Sequence, residues 1–531
     1  MSPTPAHLTF KSIWALFGIV AGGIIVTYLL ATSSFMSERG RILFKEMRPD
    51  FEEAMELGEE AGAGIIFREV KSNELSEYHL LLKKIVHFDL KGAPPKIAYY
   101  RELFPLLQRL KVSAVLMEYE DMFPYSGELA VLAKPNAYAV EEIHEICKLA
   151  HRNSLVVIPL IQTFGHLEFA LKHERFSALR EEPAKSDTIC PSDARSLELV
   201  HEMLTQVYRV HSEAMNLTTI HIGADEAWSI AKDERCQHRL VSHLHNSTDR
   251  LKLEHISSVA QFAKEQLGIP RVLAWNDLFD SIEAPLISEY RLPQLVVPNV
   301  WGYVPDVTRI GYFPIGMHVL FERYRVFGSL MFAGAFKGAN GVDQNFISMK
   351  RYLDNLYSYV KLYKENKIFI GKRISGIILT GWQRYNHHLP LCELLPVGIP
   401  TLVAELLYLN GDYAVDQDRI VEQTLRFLNC QKTSMPESTQ HFNHTLDPPV
   451  DVLFSYCNFP GKEIFAELEK LRIIAWKINK FTERQLSTVK DEILIEVDEI
   501  ERRITPLLAN YFYHVDVHEW IATNLHKYRV F

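Results

Sequence analysis

The sequence predicts an α/β protein with a TIM (β/α)8 barrel, an N-terminal transmembrane helix and a C-terminal helical domain. Eight short apolar runs alternate with helical stretches over residues 81–400, an uncharged segment lies near the N-terminus, and the pattern becomes helical over residues 401–531. With 531 residues, of which 47% are hydrophobic, the chain is long enough for one large domain and an appendage.

The uncharged segment runs from Ser12 to Ala31 and follows a short tail, residues 1–11, that ends in Lys11. An apolar helix of this length spans a bilayer core of about 30 Å, so we expect a membrane anchor. A cleaved signal peptide is the alternative, because small residues at Ala31 and Ser33 resemble a processing site. The apolar run is longer than the usual core of a signal peptide, which favours the anchor.

Two patterns predict opposite orientations for this anchor. Basic residues follow the segment at Arg39, Arg41, Lys45 and Arg48. Only Lys11 precedes it, and this distribution favours a cytoplasmic location for the rest of the chain. Three acceptor sequences for N-glycosylation favour a lumen and begin at Asn216, Asn246 and Asn443. We expect a single-pass protein of the Golgi or another secretory compartment with a luminal main domain, and a cytoplasmic domain is the alternative.

Residues 32–80 are predicted to form a stem or leading helix between the membrane and the barrel. This region is charged and only loosely periodic, and Gly58, Gly62 and Gly64 interrupt it. The glycines lack the Gly-Lys-Ser/Thr ending of a phosphate loop, and no strand leads into them. A linker or turn is therefore the preferred interpretation.

The eight apolar runs are rich in Val, Ile and Leu and are predicted to be strands. They are Ile85 to Leu90, Ala114 to Glu120, Leu155 to Thr163, Thr219 to Ala224, Arg271 to Trp275, Leu295 to Trp301, Ser329 to Ala335 and Ile374 to Thr380. Near-continuous apolar strands are typical of a parallel sheet buried on both faces. Eight strand-then-helix units over about 300 residues match a TIM barrel, and an open doubly wound sheet is the alternative.

The polar and aromatic residues that follow the runs favour the barrel, in which the C-terminal strand ends form one rim that holds the active site. The residues predicted to lie on this rim are Asp89, Lys91, Glu118, Glu120, Asp121, His166, Asp225, Glu226, Trp275, Asn276, Asp277, Trp301, Tyr303, Lys337, Trp382 and Tyr385. Strand ends are often polar, so each residue alone is a weak signal. Their shared position at the C-terminal ends of the predicted strands is the observation that favours the barrel.

The strongest local signal is the sequence HIGADEAW, His221 to Trp228, at the end of the fourth run. Successive strand residues point to opposite faces, so Asp225 and Glu226 can reach one ligand only where the strand breaks into its loop. Two close carboxylates cannot both ionise easily, so one of the pair acquires a raised pKa suited to a general acid. A solvated loop, an ion pair with a barrel lysine and a metal site are the alternatives.

Composition and missing motifs narrow the classes of function. A net charge of −9 and a pI near 6.2 argue against a nucleic-acid partner. The six cysteines form no C-x-x-C pair, which indicates neither a zinc site nor a small disulfide scaffold. The G-x-S-x-G sequence of serine hydrolases is also absent. We therefore expect a neutral or mildly polar substrate and no metal or cofactor.

From about Thr401 to the C-terminus the pattern is helical. Between Lys462 and Leu508, apolar residues recur at spacings of three and four with charges between them. This pattern predicts a helical domain packed on the barrel. A homodimer formed through these helices is the alternative, although strict heptads are not kept.

Six segments together resemble family 20 glycoside hydrolases, and most closely their hexosaminidase D-like branch. They are HIGADEAW, HFDLKGAPP (His87 to Pro95), EYEDMFPY (Glu118 to Tyr125), QTFGHLEF (Gln162 to Phe169), AWNDLF (Ala274 to Phe279) and TGWQRYNHH (Thr380 to His388). The resemblance covers roughly residues 80 to 400 and places one motif on most of the predicted strands.

The resemblance implies a retaining exo-β-N-acetylhexosaminidase that removes terminal GalNAc or GlcNAc from glycoconjugates. In this family the substrate's own 2-acetamido oxygen attacks the anomeric carbon, an exception to the two-carboxylate scheme. Asp225 would then hydrogen-bond the acetamide and stabilise the oxazolinium-like intermediate. Glu226 would protonate the leaving oxygen and later deprotonate water.

The resemblance also implies a substrate-binding set around the acid pair. Trp275, Trp301 and Trp382 are candidates for the walls of an acetamide pocket, with Tyr303 or Tyr385 as a hydroxyl donor. His166 would orient an acid, and a buried structural histidine is the alternative. The remaining candidates for substrate contact are Asp89, Lys91, Asp121 and Asp277.

One departure from the family concerns the end of the first strand, where the better-known lysosomal members use an arginine to grip sugar hydroxyls. This chain has Asp89 and Lys91 there. Lysine is a point charge rather than a bidentate fork, so the grip on the sugar is expected to differ.

Two other functions are compatible with the sequence. One is a membrane-tethered carbohydrate-binding barrel without turnover, against which the intact acid pair argues. The other is a glycosidase with an enzymic nucleophile drawn from Glu118, Glu120 or Asp277.

Overall fold

The computed structural model describes residues 83–309, 312, 317–370, 373–411, 413, 416–430 and 450–530. The predicted anchor, the predicted stem and Asn443 lie outside these residues. Within the described ranges, no helix combines the length and the apolar character needed to cross a membrane.

Eight parallel strands close into a barrel in chain order. They are β1 (Lys83–Asp89), β2 (Ala114–Glu118), β3 (Val156–Leu160), β4 (Thr219–His221), β5 (Arg271–Trp275), β6 (Val297–Trp301), β7 (Leu330–Lys337) and β8 (Ile374–Gly381). Each strand pairs with the next, and β8 pairs with β1, with Lys83 opposite Gly376. The predicted TIM barrel is confirmed, and the open doubly wound sheet is wrong because the two edge strands are hydrogen-bonded to each other.

Burial explains why the strands read as near-continuous apolar runs. All five residues of β2 and all eight of β7 are buried, because helices cover the outside of the barrel and side chains fill its interior. Polar side chains inside these strands are therefore exceptional. Asp89, Glu118 and Lys337 occupy the last positions of β1, β2 and β7, where the sequence placed the candidate rim.

Helices of varied length connect and cover the strands. They are α1 (Ile97–Arg109), α2 (Val140–Arg152), α3 (Glu168–Leu171), α4 (Ala194–Ser212), α5 (Glu234–Ser242), α6 (Thr248–Gln261), α7 (Ala284–Glu289), α8 (Leu292–Leu295), α9 (Met317–Tyr324), α10 (Met349–Ile370) and α11 (Leu395–Asn410). Two begin after an aspartate cap: Asp193 accepts from Arg195 N before α4, and Asp233 accepts from Arg235 N before α5. The second cap ends the loop that carries the acid pair.

The C-terminal part is helical, as predicted. It contains α12 (Gln417–Phe427), α13 (Lys462–Lys480), α14 (Glu483–Tyr511) and α15 (His514–Trp520), and a disulfide joins Cys430 to Cys457. The boundary expected between residues 400 and 401 falls inside α11, which packs on the barrel with Gly398 against Phe336.

Direct contacts fasten the last helices to the barrel. Lys96 N donates to Tyr511 O at 2.7 Å, and Asn136 donates to Asp516 at 3.0 Å. Arg384, in the segment after β8, forms an ion pair with Glu519. The homodimer through these helices stays a prediction.

Candidate active site

The acid pair lies where β4 breaks off. The strand ends at His221, and three of the following residues have left-handed backbone angles: Gly223 (φ 61°), Ala224 (φ 65°) and Glu226 (φ 45°). Non-glycine residues adopt this conformation at a cost of about 1–3 kcal/mol each, and such strain clusters at functional sites. The turn interrupts the strand alternation, so that Asp225 and Glu226 reach the same neighbour.

That neighbour is His166, in the loop after β3. Its Nε2 lies 3.5 Å from Asp225 Oδ2 and 3.3 Å from Glu226 Oε2. His166 also has a left-handed φ of 53°. The preceding Gly165 explains how the loops approach so closely, because a Cβ at this position would lie 2.2 Å from the carbonyl oxygen of Asp225.

The charges in this trio depend on one another. Burial raises the pKa of Asp225 well above its usual value, the charge of His166 lowers it, and the nearby Asp277, Glu226 and Glu118 raise it further. Burial disfavours a charged His166, but Asp225 and Glu226 outweigh that effect and raise the pKa of the imidazole well above 6.5. The positive charge of His166 and the negative charge of Asp225 therefore favour each other.

Asp277 braces the acid pair from the end of β5. Its Oδ2 accepts from the backbone N–H of Glu226 at 2.9 Å, and its Oδ1 accepts from the indole N–H of Trp301 at 2.9 Å. Both oxygens are thus engaged by protein groups from two other strand ends. The sequence placed Asp277 on the rim as a substrate contact, and these bonds favour a positioning role.

Four aromatic rings form a continuous wall beside the pair. Trp301 stacks on Tyr303 with centroids 5.3 Å apart, and Tyr303 meets Trp382 edge-on at 6.2 Å. Trp275 lies 6.0 Å from Trp382. Burial and, to a smaller extent, the charge of Asp225 raise the pKa of Tyr303, so this phenol lies near the acid pair.

The alternative phenol, Tyr385, has different surroundings. Its hydroxyl accepts from Gly341 N at 3.2 Å, in the loop after β7. Burial raises its pKa well above the usual value, and the nearest acidic groups that contribute are Cys392 and Glu393. Of the two predicted hydroxyl donors, Tyr303 is the one whose electrostatic neighbours include Asp225.

Comparisons with known proteins decide the family. Residues 118–367 match the model described as glycosyl hydrolase family 20, catalytic domain. The chain is 40% identical over 353 residues to hexosaminidase D of Homo sapiens, across 66% of this chain and 70% of that protein. It is also 40% identical over 354 residues to hexosaminidase D of Bos taurus, across 66% of this chain and 99% of that protein. The chain belongs to glycoside hydrolase family 20.

It is a β-N-acetylhexosaminidase and a homologue of hexosaminidase D. Among solved structures it is similar to a β-N-acetylhexosaminidase from Bacteroides fragilis, with a TM-score of 0.47 and 16% identity, across 65% of this chain and 70% of that chain. The family match and the two hexosaminidase D relatives argue against the alternative of a barrel without turnover.

The first-strand end of this family 20 enzyme holds a buried charge cluster. Lys91 Nζ lies 2.8 Å from Asp89, 3.5 Å from Glu120 and 3.9 Å from Glu118, and 5.5 Å from the ring centre of Trp382. Asp89 accepts from the backbone N–H of Gln383 at 2.7 Å, which joins the ends of β1 and β8. Asp89 and Lys91 are thus paired with each other and with neighbouring groups of the barrel.

Asp121 lies in the same region and faces basic groups. It is within 3.2 Å of Lys172 Nζ and 3.4 Å of His387 Nδ1. No contact joins it to the acid pair among the described residues. Its surroundings favour an ion-pair role over the substrate contact that the sequence suggested.

Sequence reasoning missed the polar layer beneath the aromatic wall. His87 Nε2 lies 2.9 Å from Glu118 Oε2, and Gln162 Nε2 donates to Glu118 Oε1 at 3.1 Å. Trp382 contacts the ring of His87 edge-on at 4.7 Å, and Trp275 packs on His221 at 4.4 Å. The sequence did contain a signal for this layer, because histidines stand at positions 87 and 221 inside otherwise apolar strands.

We predict that Gly165→Ala lowers kcat/KM by about 100-fold, because a displacement near 1 Å at a catalytic site has effects of that order. The added methyl would collide with the carbonyl of Asp225, which belongs to the backbone and cannot rotate away. The assay is release of 4-nitrophenol from 4-nitrophenyl N-acetyl-β-glucosaminide. Gly328→Ala is the matched control, because a Cβ there meets nothing within 4 Å. Equal activity of the two variants would contradict the close packing of the loops.

Proposed function

We propose that this enzyme removes terminal GalNAc or GlcNAc from glycoconjugates with retention of configuration, using the substrate's acetamide as the nucleophile. The observation that supports this most directly is the trio of Asp225, Glu226 and His166, with both carboxylates within 3.5 Å of one imidazole nitrogen. A flanking aromatic wall adds the apolar surface that an acetamide methyl and a sugar face require.

Exposure supports different roles for the two acids. The side chain of Glu226 is 22% exposed, whereas that of Asp225 is 8% exposed. A group that protonates a leaving oxygen and then activates water has to exchange protons with solvent, which suits Glu226. Asp225 is the buried member, and its Oδ1 has no hydrogen-bond partner among the described residues. The amide N–H of a bound acetamido group would satisfy that oxygen.

The other acids of the rim are poor candidates for an enzymic nucleophile. Asp277 accepts from Glu226 N and Trp301 Nε1, and Glu118 is held by His87 and Gln162. Glu120 pairs with His387 and Lys91. Attack by any of these would require breaking buried polar contacts, whereas the acetamide oxygen arrives with the substrate. An intramolecular nucleophile held in attack geometry lowers the barrier by about 7–11 kcal/mol.

The aromatic wall would hold the acetamide for this attack. Trp275, Trp301 and Trp382 supply the apolar surface, and Tyr303 supplies the hydroxyl that hydrogen-bonds the acetamide oxygen. Because burial raises the pKa of Tyr303 well above 10, the phenol keeps its proton and can donate it in a hydrogen bond. That bond would polarise the acetamide and fix its rotation.

We predict that Glu226→Gln lowers kcat by about 10²–10⁴-fold on a disaccharide, whose sugar leaving group needs a proton. On 4-nitrophenyl N-acetyl-β-glucosaminide, the loss in kcat/KM should be much smaller because 4-nitrophenolate leaves without one. Asp225→Asn is the companion variant and should slow both substrates strongly, since it removes the charge that stabilises the oxazolinium. Equal losses in kcat/KM on the disaccharide and on the 4-nitrophenyl substrate for Glu226→Gln would contradict the assignment of Glu226 as the acid. Hydrolysis of a plain β-glucoside would contradict acetamide participation.

We also propose that the barrel is luminal in the Golgi or another secretory compartment and is held there by the segment from Ser12 to Ala31. Two acceptor asparagines, Asn216 and Asn246, are exposed in the turns after α4 and α5. The disulfide between Cys430 and Cys457 is also typical of an oxidising compartment.

Digestion of the full chain, made in eukaryotic cells, with a peptide N-glycosidase should increase its electrophoretic mobility. The double variant Asn216→Gln and Asn246→Gln should lose most of that shift, because exposed acceptor sequences in a lumen are glycosylated. No shift in the parent chain, together with protection of the tail rather than the barrel from added protease in sealed vesicles, would indicate a cytoplasmic barrel.

A further inference from the structure

A second cluster of reactive side chains lies outside the barrel rim. Cys190 and Cys236 are fully buried, and so is the carboxylate of Glu181. Cys190 precedes α4, and Cys236 lies in the first turn of α5. The two cysteines share a small apolar cluster with Leu244 and Leu251.

The separations within this cluster are those of a shared cation site. The two sulfur atoms lie 3.6 Å apart, and Glu181 Oε2 lies 3.1 Å from Cys236 Sγ. One donor atom from each of the three residues lies within 4.8 Å of the others. Tetrahedral zinc with Zn–S near 2.3 Å and Zn–O near 2.1 Å places its ligand atoms about 3.5–3.8 Å apart. The sulfur pair has this spacing, and the carboxylate has to move by about half an ångström.

Neighbouring backbone groups orient the carboxylate of Glu181, as hydrogen-bonding groups around known metal sites orient the ligands. Glu181 Oε1 accepts from the backbone N–H groups of Lys232 and Asp233 at 2.8 and 3.3 Å, which leaves Oε2 directed at the thiols. Ser192 Oγ lies 3.0 Å from Cys236 Sγ, near a fourth position. The guanidinium of Arg235 interacts electrostatically with Cys190 and can offset the excess negative charge of two thiolates and a carboxylate.

We propose that Glu181, Cys190 and Cys236 bind one zinc ion, with Ser192 or a water at the fourth position. The ion fastens the segment before α4 to the start of α5, and so closes the end of the loop that carries Asp225 and Glu226. Ser229 lies within that loop, and its hydroxyl donates to Glu182, the neighbour of Glu181 in the chain, at 3.1 Å. This hydrogen bond is a second connection between the loop and the segment before α4. We assign the site a structural role, because none of its three ligands contacts Asp225 or Glu226 among the described residues.

The first test is the metal content of the full chain, purified without chelators and measured by inductively coupled plasma mass spectrometry. We expect about one zinc per chain, as for other closed structural sites. Growth on cobalt should give a protein with thiolate-to-cobalt charge-transfer absorption. Cys190→Ser and Cys236→Ser should each lose the metal and the absorption. Cys147→Ser and Cys392→Ser are the controls, because these buried cysteines lie elsewhere, and they should keep both.

A second measurement uses the unaltered protein and so does not depend on the folding of variants. Titration with a mercurial should release zinc in step with the modification of two thiols, and a strong chelator should lower the melting temperature. Zinc below about 0.1 per chain in folded, active enzyme would overturn the proposal, because a structural site is occupied in the folded protein. A Cys190–Cys236 disulfide found by peptide mapping, or zinc retained by the Cys190→Ser/Cys236→Ser double variant, would also overturn it.

Discussion

The contact between two loops, the one after β3 and the one after β4, determines the geometry of this active site. Gly165 lies directly against the backbone of Asp225, and Thr163 Oγ1 donates to Ile222 O at 2.6 Å. The imidazole of His166 is thereby placed between two carboxylates. Left-handed conformations at His166, Ala224 and Glu226 cost about 1–3 kcal/mol each, and they persist because the neighbouring loop leaves no room for relaxation.

Electrostatics follow from this packing. Several buried carboxylates converge on the rim, and the imidazole of His166 lies within 3.5 Å of both members of the acid pair. In a low-dielectric site a single cation strongly influences which carboxylate is ionised. Asp277 also fixes the positions of these groups, because it accepts hydrogen bonds from the backbone of Glu226 and from the ring of Trp301. The acids and the aromatic wall are therefore positioned as one unit.

Much of the fold was predictable because strands buried on both faces appear in the sequence as apolar runs, and each of the eight runs overlaps an observed strand. The acid pair was predictable because it directly follows one of these runs. The roles of several site residues could not be predicted, because they depend on partners that the residue type alone does not reveal. Examples are the hydrogen bond from Trp301 to Asp277 and the ion pair between Lys91 and Asp89. Cys190 and Cys236 are 46 positions apart, so no spacing motif indicated their proximity, and the expectation of no metal site is the one that our zinc proposal revises.

The central claim is that the charge of His166 lowers the pKa of Asp225 and thereby favours the ionised form in catalysis, and the pH profile of His166→Gln tests it most directly. His166 lowers the pKa of Asp225, so loss of the imidazolium should raise that pKa further. The acidic limb of kcat/KM should therefore move to higher pH, by about one unit or more. His151→Gln, at an exposed position in α2, should leave the profile unchanged. An acidic limb that stays in place or moves to lower pH in His166→Gln would contradict the account.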